Sequence, residues 1–265
     1  MKNEKVAIIG AGNLGKSIIQ GLIDTKSFPL KNITATKRNL ADLKDFEEKG
    51  ITITSDNSSA VEGSELIIVA LKPHNILSVL EEISSKINPD KHIIVSLATG
   101  ISIAQIQKSI GKDLPIYRAM PNTAADVQES VTCICSTDLD KERNETVKSF
   151  FNSIGSTIQI NEDLMEAATV IGACGIAYVL RFIRAMIQGG IEIGFDANTA
   201  SKIVTQTVKG ASELLIQREQ HPEFEIDKVT TPKGCTIAGL NEMEHNGFSS
   251  ALIRGIVTSY KKIEK

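Results

Sequence analysis

Three glycines stand in G-x-G-x-x-G spacing within Lys5-Val-Ala-Ile-Ile-Gly10-Ala11-Gly12-Asn13-Leu14-Gly15. That spacing serves recognition of a dinucleotide pyrophosphate. Gly10 permits a sharp turn, Gly12 lets phosphate approach the backbone, and Gly15 lets a helix pack close on the preceding strand. The phosphate then rests on a helix N-terminus, where unpaired N–H groups and the dipole favour negative charge. An NAD-selective site of this kind carries Asp or Glu about twenty residues further on, for the ribose 2′-hydroxyl. Here that stretch reads Thr34-Ala35-Thr36-Lys37-Arg38-Asn39. It holds no carboxylate. Two cations and two hydrogen-bonding side chains stand where a 2′-phosphate would lie, and arginine pairs with phosphate through two bonds. The expected cofactor is NADPH, with NADH possible.

A second stretch with chemical potential is Val229-Thr-Thr231-Pro232-Lys233-Gly234-Cys235-Thr236-Ile237. Thr231 before Pro232 reads as a helix N-cap followed by the first helical residue. Gly234 leaves one stretch of backbone uncovered, so the helix start suits a carboxylate ligand. Arg118-Ala-Met-Pro121-Asn122-Thr123 reads as a strand ending in a turn. The chain contains no H-E-x-x-H and no G-x-S-x-G. Hydride transfer needs neither, because the cofactor carries the reaction and the protein supplies orientation and electrostatics.

These groups need elements to hold them. The first apolar run is a buried strand, and the pattern Lys16–Ile23 opens a helix. Strands are expected at 32–36, 51–54, 65–71, 92–97, 115–118, 130–136 and 155–160. Helices are expected between them at 41–49, 76–87, 101–110 and 141–154. Strands alternating with helices, several with near-continuous apolar runs, predict a doubly wound α/β sheet. Near Asn161 the character changes, and the rest reads as helix: 164–188 with an interruption near Gly172–Gly175, then a helix capped by Asp196 or Asn198 and running to about 217, a short one after Pro232, and a last one over 249–262. The expected organisation is a Rossmann-type domain over 1–160 and an all-α dimerisation and substrate-binding domain over 161–265. The helical part is rich in small residues and has more apolar surface than a short bundle can bury, which predicts an obligate homodimer.

Composition narrows the setting. The 265 residues are 42% hydrophobic and 23% charged, with net charge −3, so neither disorder nor a nucleic-acid partner is expected. The four cysteines, Cys133, Cys135, Cys174 and Cys235, are too few and scattered for a disulfide framework and read as reduced thiols in a cytoplasmic protein. No metal site is expected. The N-terminus leaves no room for a signal peptide before the first strand. Arg181 and Arg184 near the centre of the apolar stretch 167–193 argue against a membrane span.

The sequence resembles pyrroline-5-carboxylate reductases along essentially the whole chain. The matching stretches are Ile9–Leu14, Ala70-Leu71-Lys72-Pro73, Val95–Gly100, Arg118–Thr123, Glu162–Ala167, Gly175–Tyr178, Gln206–Gly210, Glu219–Pro222 and Val229–Ile237. The resemblance implies reduction of 1-pyrroline-5-carboxylate to L-proline by NAD(P)H, the last step of proline biosynthesis. It implies that Ile9, Gly10, Ala11, Gly12, Asn13 and Leu14 cradle the pyrophosphate. Lys37, with Arg38 beside it, and Asn57 serve the adenosine side, and Ala70, Leu71, Lys72 and Pro73 border the nicotinamide half. It further implies a homodimer, in many relatives a ring of dimers, with the substrate at the dimer interface. The substrate carboxylate then lies on Thr231, Gly234, Cys235 and Thr236, with the Thr236 hydroxyl beside the ring nitrogen as the catalytic group. Glu162 and Glu219 match acidic positions near the same pocket.

Three positions depart from the family pattern. Lys233 replaces the first glycine of Pro-Gly-Gly. Ile176 replaces a proline, which predicts a less kinked helix. Glu129 stands where glycine is common. These leave two alternatives: a related reductase of another imine or small 2-oxo acid, or a non-catalytic NADPH-binding paralogue.

Overall fold

The computed structural model describes residues 4–137 and 140–263. Eight strands form one sheet: β1 Val6–Ile9, β2 Ile33–Thr36, β3 Thr52–Thr54, β4 Leu66–Val69, β5 Ile93–Ser96, β6 Ile116–Met120, β7 Ser130–Ser136 and β8 Gly155–Gln159. Their order is β3-β2-β1-β4-β5-β6-β7-β8. Every pairing is parallel except β6 with β7. The order reverses between β1 and β4, so a crevice opens beyond their carboxyl ends, where open α/β sheets bind ligands.

Successive residues of a strand face opposite sides. Val6, Ile8, Ile33, Ala35, Leu66, Ile68 and Val95 join a core with helix α1 Asn13–Thr25, which supplies Ile18, Ile19 and Leu22. Helix α2 is the short Lys44–Glu48. Ala7, Ile9, Ile67, Val69 and Ile94 face the other side. There they meet α3 Asn57–Glu62, α4 Pro73–Ile83 and α5 Ile103–Ile110. On the first side α6 Lys141–Asn152 adds Val147, Phe150 and Phe151, with the two phenylalanine rings edge to face at 5.1 Å. Helices cover both faces, as the alternating pattern requires.

After β8 come α7 Met165–Ala168, a π-helical turn Thr169–Cys174 and α8 Gly175–Glu192. The interruption expected near Gly172–Gly175 is therefore this π turn. Within this turn the Gly172 carbonyl accepts the Asn122 side-chain amide at 2.9 Å. The chain then forms α9 Ala197–Arg218, α10 Pro222–Val229, α11 Cys235–His245 and α12 Phe248–Ile263. Of the two candidate caps for α9, Asp196 serves, accepting from the N–H groups of Asn198 and Thr199.

By compactness the chain divides at Cys174/Gly175: one unit runs to Cys174 and takes back the chain from Tyr260, and the other spans Gly175–Ser259. Within the second unit α8 packs along α9, and a Cβ on Gly190 would lie 3.2 Å from that of Ala200. Tyr178 and Ser259 share a hydrogen bond of 2.6 Å, and Phe182 meets Phe248. Helices α8, α10, α11 and α12 bury no residue fully, while Leu180, Ile193, Ile216, Phe224 and Ile253 are exposed. The segment Glu162–Glu192 is long and apolar enough to cross a membrane by length and composition, and its most apolar 18-residue stretch is only 6% buried. An apolar surface of this size calls for a cover.

Candidate cofactor cleft and substrate loop

The glycine loop has the geometry its spacing predicts. Gly10 adopts φ +90°, in the left-handed region, and a Cβ there would overlap the Leu71 side chain and lie 3.0 Å from the Ala70 carbonyl oxygen. A Cβ on Gly15 would lie 3.0 Å from the Gly10 carbonyl oxygen, a close approach of helix to loop. A Cβ on Gly12 would meet nothing within 4 Å. Gly12 faces open space, as a residue against which phosphate must lie should. The turn is fixed by Gly12 N–H donating to Gly10 O at 2.7 Å and Ala11 N–H to Thr36 O at 2.8 Å. Helix α1 has Gly12 as its N-cap residue, with no side-chain cap and no acid in its first turn, so its leading N–H groups are left for a ligand.

This loop opens into a cleft of about 610 Å³. Gly10, Gly12, Lys37, Arg38, Asn57, Ala70, Leu71 and Lys72 line it, joined by Thr36, Asn39, Ser55, Asn75, Ser78, Val79 and Glu82. Ile9 and Ala11 are wholly buried, so only their backbone faces the turn, and Leu14 packs on the core. Asn13 and Pro73 are the first residues of α1 and α4. Helix α4, like α1, starts without a side-chain cap. The residues present thus fit a dinucleotide: two uncapped helix starts, an open glycine and a basic end.

Thr36, which the sequence did not single out alone, organises the adenosine end. Its hydroxyl accepts the Gly10 N–H at 3.1 Å and donates to Asn57 Oδ1 at 2.7 Å. Lys37 is paired with Asp42 at 2.6 Å, and this ammonium holds the Asp42 carboxyl below the usual carboxylate range. Arg38 is exposed and makes no ion pair among the described residues.

In the second unit, Thr231 and Pro232 do not cap and open a helix, contrary to expectation. Thr231-Pro232-Lys233-Gly234 is a turn closed by Gly234 N–H donating to Thr231 O at 3.0 Å. The helix starts later, with Gly234 as N-cap and Cys235 first. The reason is local: Lys233 sits at φ +60°, which leaves the right-handed helical path. Proline second and positive φ third are the marks of a type II turn, whose third position favours glycine. Gly234 is required as well, since a Cβ would lie 2.6 Å from Thr231 Oγ1. The start of α11 has no side-chain cap and no acid in its first turn. Cys235 is exposed and Thr236 half-buried, and the Thr236 hydroxyl makes no hydrogen bond among the described residues. Glu219 ends α9 at φ +52° and is exposed. Glu162 lies in the first unit, where Ile103 and Arg118 engage it.

The cysteines are all free, with burial pushing the Cys135 thiol up to about 11. Among the described residues no group of three or more His, Cys, Asp or Glu side chains could hold a metal ion.

Comparison with known proteins adds to this geometry. Residues 162–265 match a family model described as pyrroline-5-carboxylate reductase dimerisation, and residues 5–100 match one described as NADP oxidoreductase coenzyme F420-dependent. The chain is 45% identical to pyrroline-5-carboxylate reductase 1 of Dictyostelium discoideum over 97% of its own length, spanning about half (49%) of that longer protein. It is 41% identical to pyrroline-5-carboxylate reductase 2 of the same organism, covering 99% of this chain and 93% of that one. In three dimensions it is similar to the crystal structure of Plasmodium falciparum pyrroline carboxylate reductase with NADP bound, with a TM-score of 0.90, 26% identity and coverage of 99% and 98%. A glycine cleft built for a dinucleotide, a helical half with its apolar face uncovered and similarity over the full length lead to one statement: the chain belongs to the pyrroline-5-carboxylate reductase family.

Proposed function

We propose that this protein reduces 1-pyrroline-5-carboxylate to L-proline with NADPH, the last step of proline biosynthesis. The observation that carries the reading is full-length similarity to reductases of that name, in a chain that keeps both the glycine cleft and the uncapped start of α11. NADPH, when bound, supplies the hydride. Gly10 and Gly12 with the start of α1 receive the pyrophosphate, with Ile9, Ala11, Asn13 and Leu14 shaping the turn. Arg38 and Lys37 receive the 2′-phosphate, for which Lys37 must exchange Asp42. Asn57 serves the adenosine side, and Ala70, Leu71, Lys72 and Pro73 border the reducing half.

The substrate side needs no strong acid, because a protonated imine is already an electrophile. What remains is to hold its carbon beside the donor, a matter of proximity. The carboxylate lies on the backbone N–H groups of Cys235 and Thr236, with Thr231 and Gly234 shaping the turn before them. The neutral Thr236 hydroxyl orients the ring nitrogen without a fixed positive charge that would repel the iminium, and Glu219 adds negative potential nearby.

The protein acts as a homodimer, assembled further into a ring of dimers, whose helical faces cover one another. The apolar helix 162–192 then serves a second copy and not a lipid phase, and Arg181 and Arg184 within it favour that use. Free thiols and a net charge of −3 support a cytoplasmic protein without nucleic-acid partners. Steady-state oxidation of NADPH on addition of 1-pyrroline-5-carboxylate tests the reading.

A further inference from the structure

Strand β6 carries a charge into the buried sheet. Arg118 is 3% exposed and stands in register opposite Ser96, the last residue of β5. Its guanidinium donates to Glu162 Oε1 at 3.3 Å and to Glu166 Oε1 at 2.7 Å. The same Glu162 oxygen accepts the backbone N–H of Ile103, the first residue of α5, at 2.7 Å. These contacts close a ring. Ser96 begins the loop 97–102, Ile103 ends it, Glu162 holds Ile103, and Arg118 holds Glu162 beside Ser96.

The enclosed loop adjoins the strand that leads into the cleft wall, although none of its own residues is among those lining the cleft. Leu97 N–H donates to Val69 O at 3.0 Å, and Val69 precedes the lining residues Ala70, Leu71 and Lys72. The loop thus lies on the β4–β5 side, away from Lys37 and Arg38, which follow β2. Helix α5 does not need the ring for its own start. Ser102 and Gln105 form a reciprocal capping box there, which already satisfies leading N–H groups. The ring also leaves Arg118 Nε buried without a partner. Burying a cation is costly, and such pairs are weak sources of net stability, so a role beyond stability fits better.

The geometry points to Arg118 and Glu162 as a positioning pair that fixes loop 97–102 against the reducing half of the dinucleotide. Glu162 acts through Ile103 and does not touch the imine. The inference rests on the dinucleotide reading of the cleft.

The test uses the full chain and its Glu162→Ala, Glu162→Gln, Arg118→Met and doubly substituted forms. Hydrogen exchange reads the amides of 97–103, and titrations compare NADPH with 2′,5′-ADP, which fills only the adenosine end. Glu162→Ala speeds loop exchange about tenfold, weakens NADPH about fivefold and leaves 2′,5′-ADP within about twofold. Glutamine, still able to accept from Ile103, restores most of the loss. The double variant is no worse than Glu162→Ala, since each residue acts through the other. Equal weakening of both ligands, additive losses, or a raised imine KM with exchange and NADPH binding unchanged would overturn the inference. A wild-type chain that binds NADPH yet makes no proline would sink the proposed reaction while leaving these comparisons intact.

Discussion

The Lys37 ammonium lies 2.6 Å from the Asp42 carboxylate, at the edge of the cleft that also contains Arg38. One of the two cations expected to receive a 2′-phosphate is thus already neutralised, and Arg38 is the available one. Arg38→Ala should raise the KM for NADPH about tenfold, and that for NADH less than about twofold. Asp42→Asn should act in the opposite direction, lowering the NADPH KM by freeing Lys37. Steady-state kinetics with each cofactor reads both, and equal effects on NADH would remove this end of the cleft from cofactor choice.

Gly10 and Gly12 separate folding from binding. A side chain at Gly10 meets Leu71 and must take positive φ, so Gly10→Ala should lower the melting temperature by several degrees, for a cost of about 1–2 kcal/mol. Gly12 has open space. Gly12→Ala should melt like the wild type yet bind NADPH at least about tenfold more weakly, because its methyl occupies the path of the phosphate. Thermal melts with and without NADPH distinguish the two.

Lys233 holds φ +60° without being glycine. Lys233→Gly should stabilise the chain by about 1 kcal/mol, since a residue with Cβ pays that much in the left-handed region. Lys233→Ala should not, because alanine keeps the Cβ. Chemical denaturation of both variants checks this, and equal stability of the two would show that the turn is not strained.

His92 is 2% exposed just before β5, and its Nδ1 accepts the Asn88 N–H at 3.1 Å. Burial first, then the neighbouring Lys91, hold its pKa below the ordinary 6.5. The unfolded chain therefore takes up this proton at a higher pH than the folded one. Stability is full above about pH 6.5 and declines as pH falls below it, until the folded histidine also titrates. Urea midpoints measured from pH 7.5 to 5.5 should fall for the wild type and fall less for His92→Gln. Parallel curves would exclude His92 as the group responsible.

How far the sequence could be read depended on the range of the interactions involved. β1, its glycine turn and α1 were legible because each is encoded locally, by an apolar run, a spacing and a period. The apolar run of β4 was legible for the same reason, and the cap of α9 was narrowed to Asp196 or Asn198. The start of α11 was misplaced because Thr-Pro is equally at home before a helix and in a turn, and the left-handed Lys233 decides between them. Helix α10 went unread because eight residues after Pro222 show too little periodicity. Arg118 looked like an ordinary strand residue, since its partners Glu162 and Glu166 lie 44 and 48 positions further along the chain. The pairing of Lys37 with Asp42 required knowing that the chain curls back after β2.

The reaction itself is read from its product. Purified protein is given NADPH and 1-pyrroline-5-carboxylate, and L-proline is quantified against NADPH consumed, for the wild type and Thr236→Ala. One proline per NADPH is expected, with Thr236→Ala lowering kcat by between about fivefold and a hundredfold and leaving the NADPH dissociation constant within about twofold. A wild type that binds NADPH but forms no proline, or a Thr236→Ala variant with unchanged turnover, would contradict this expectation.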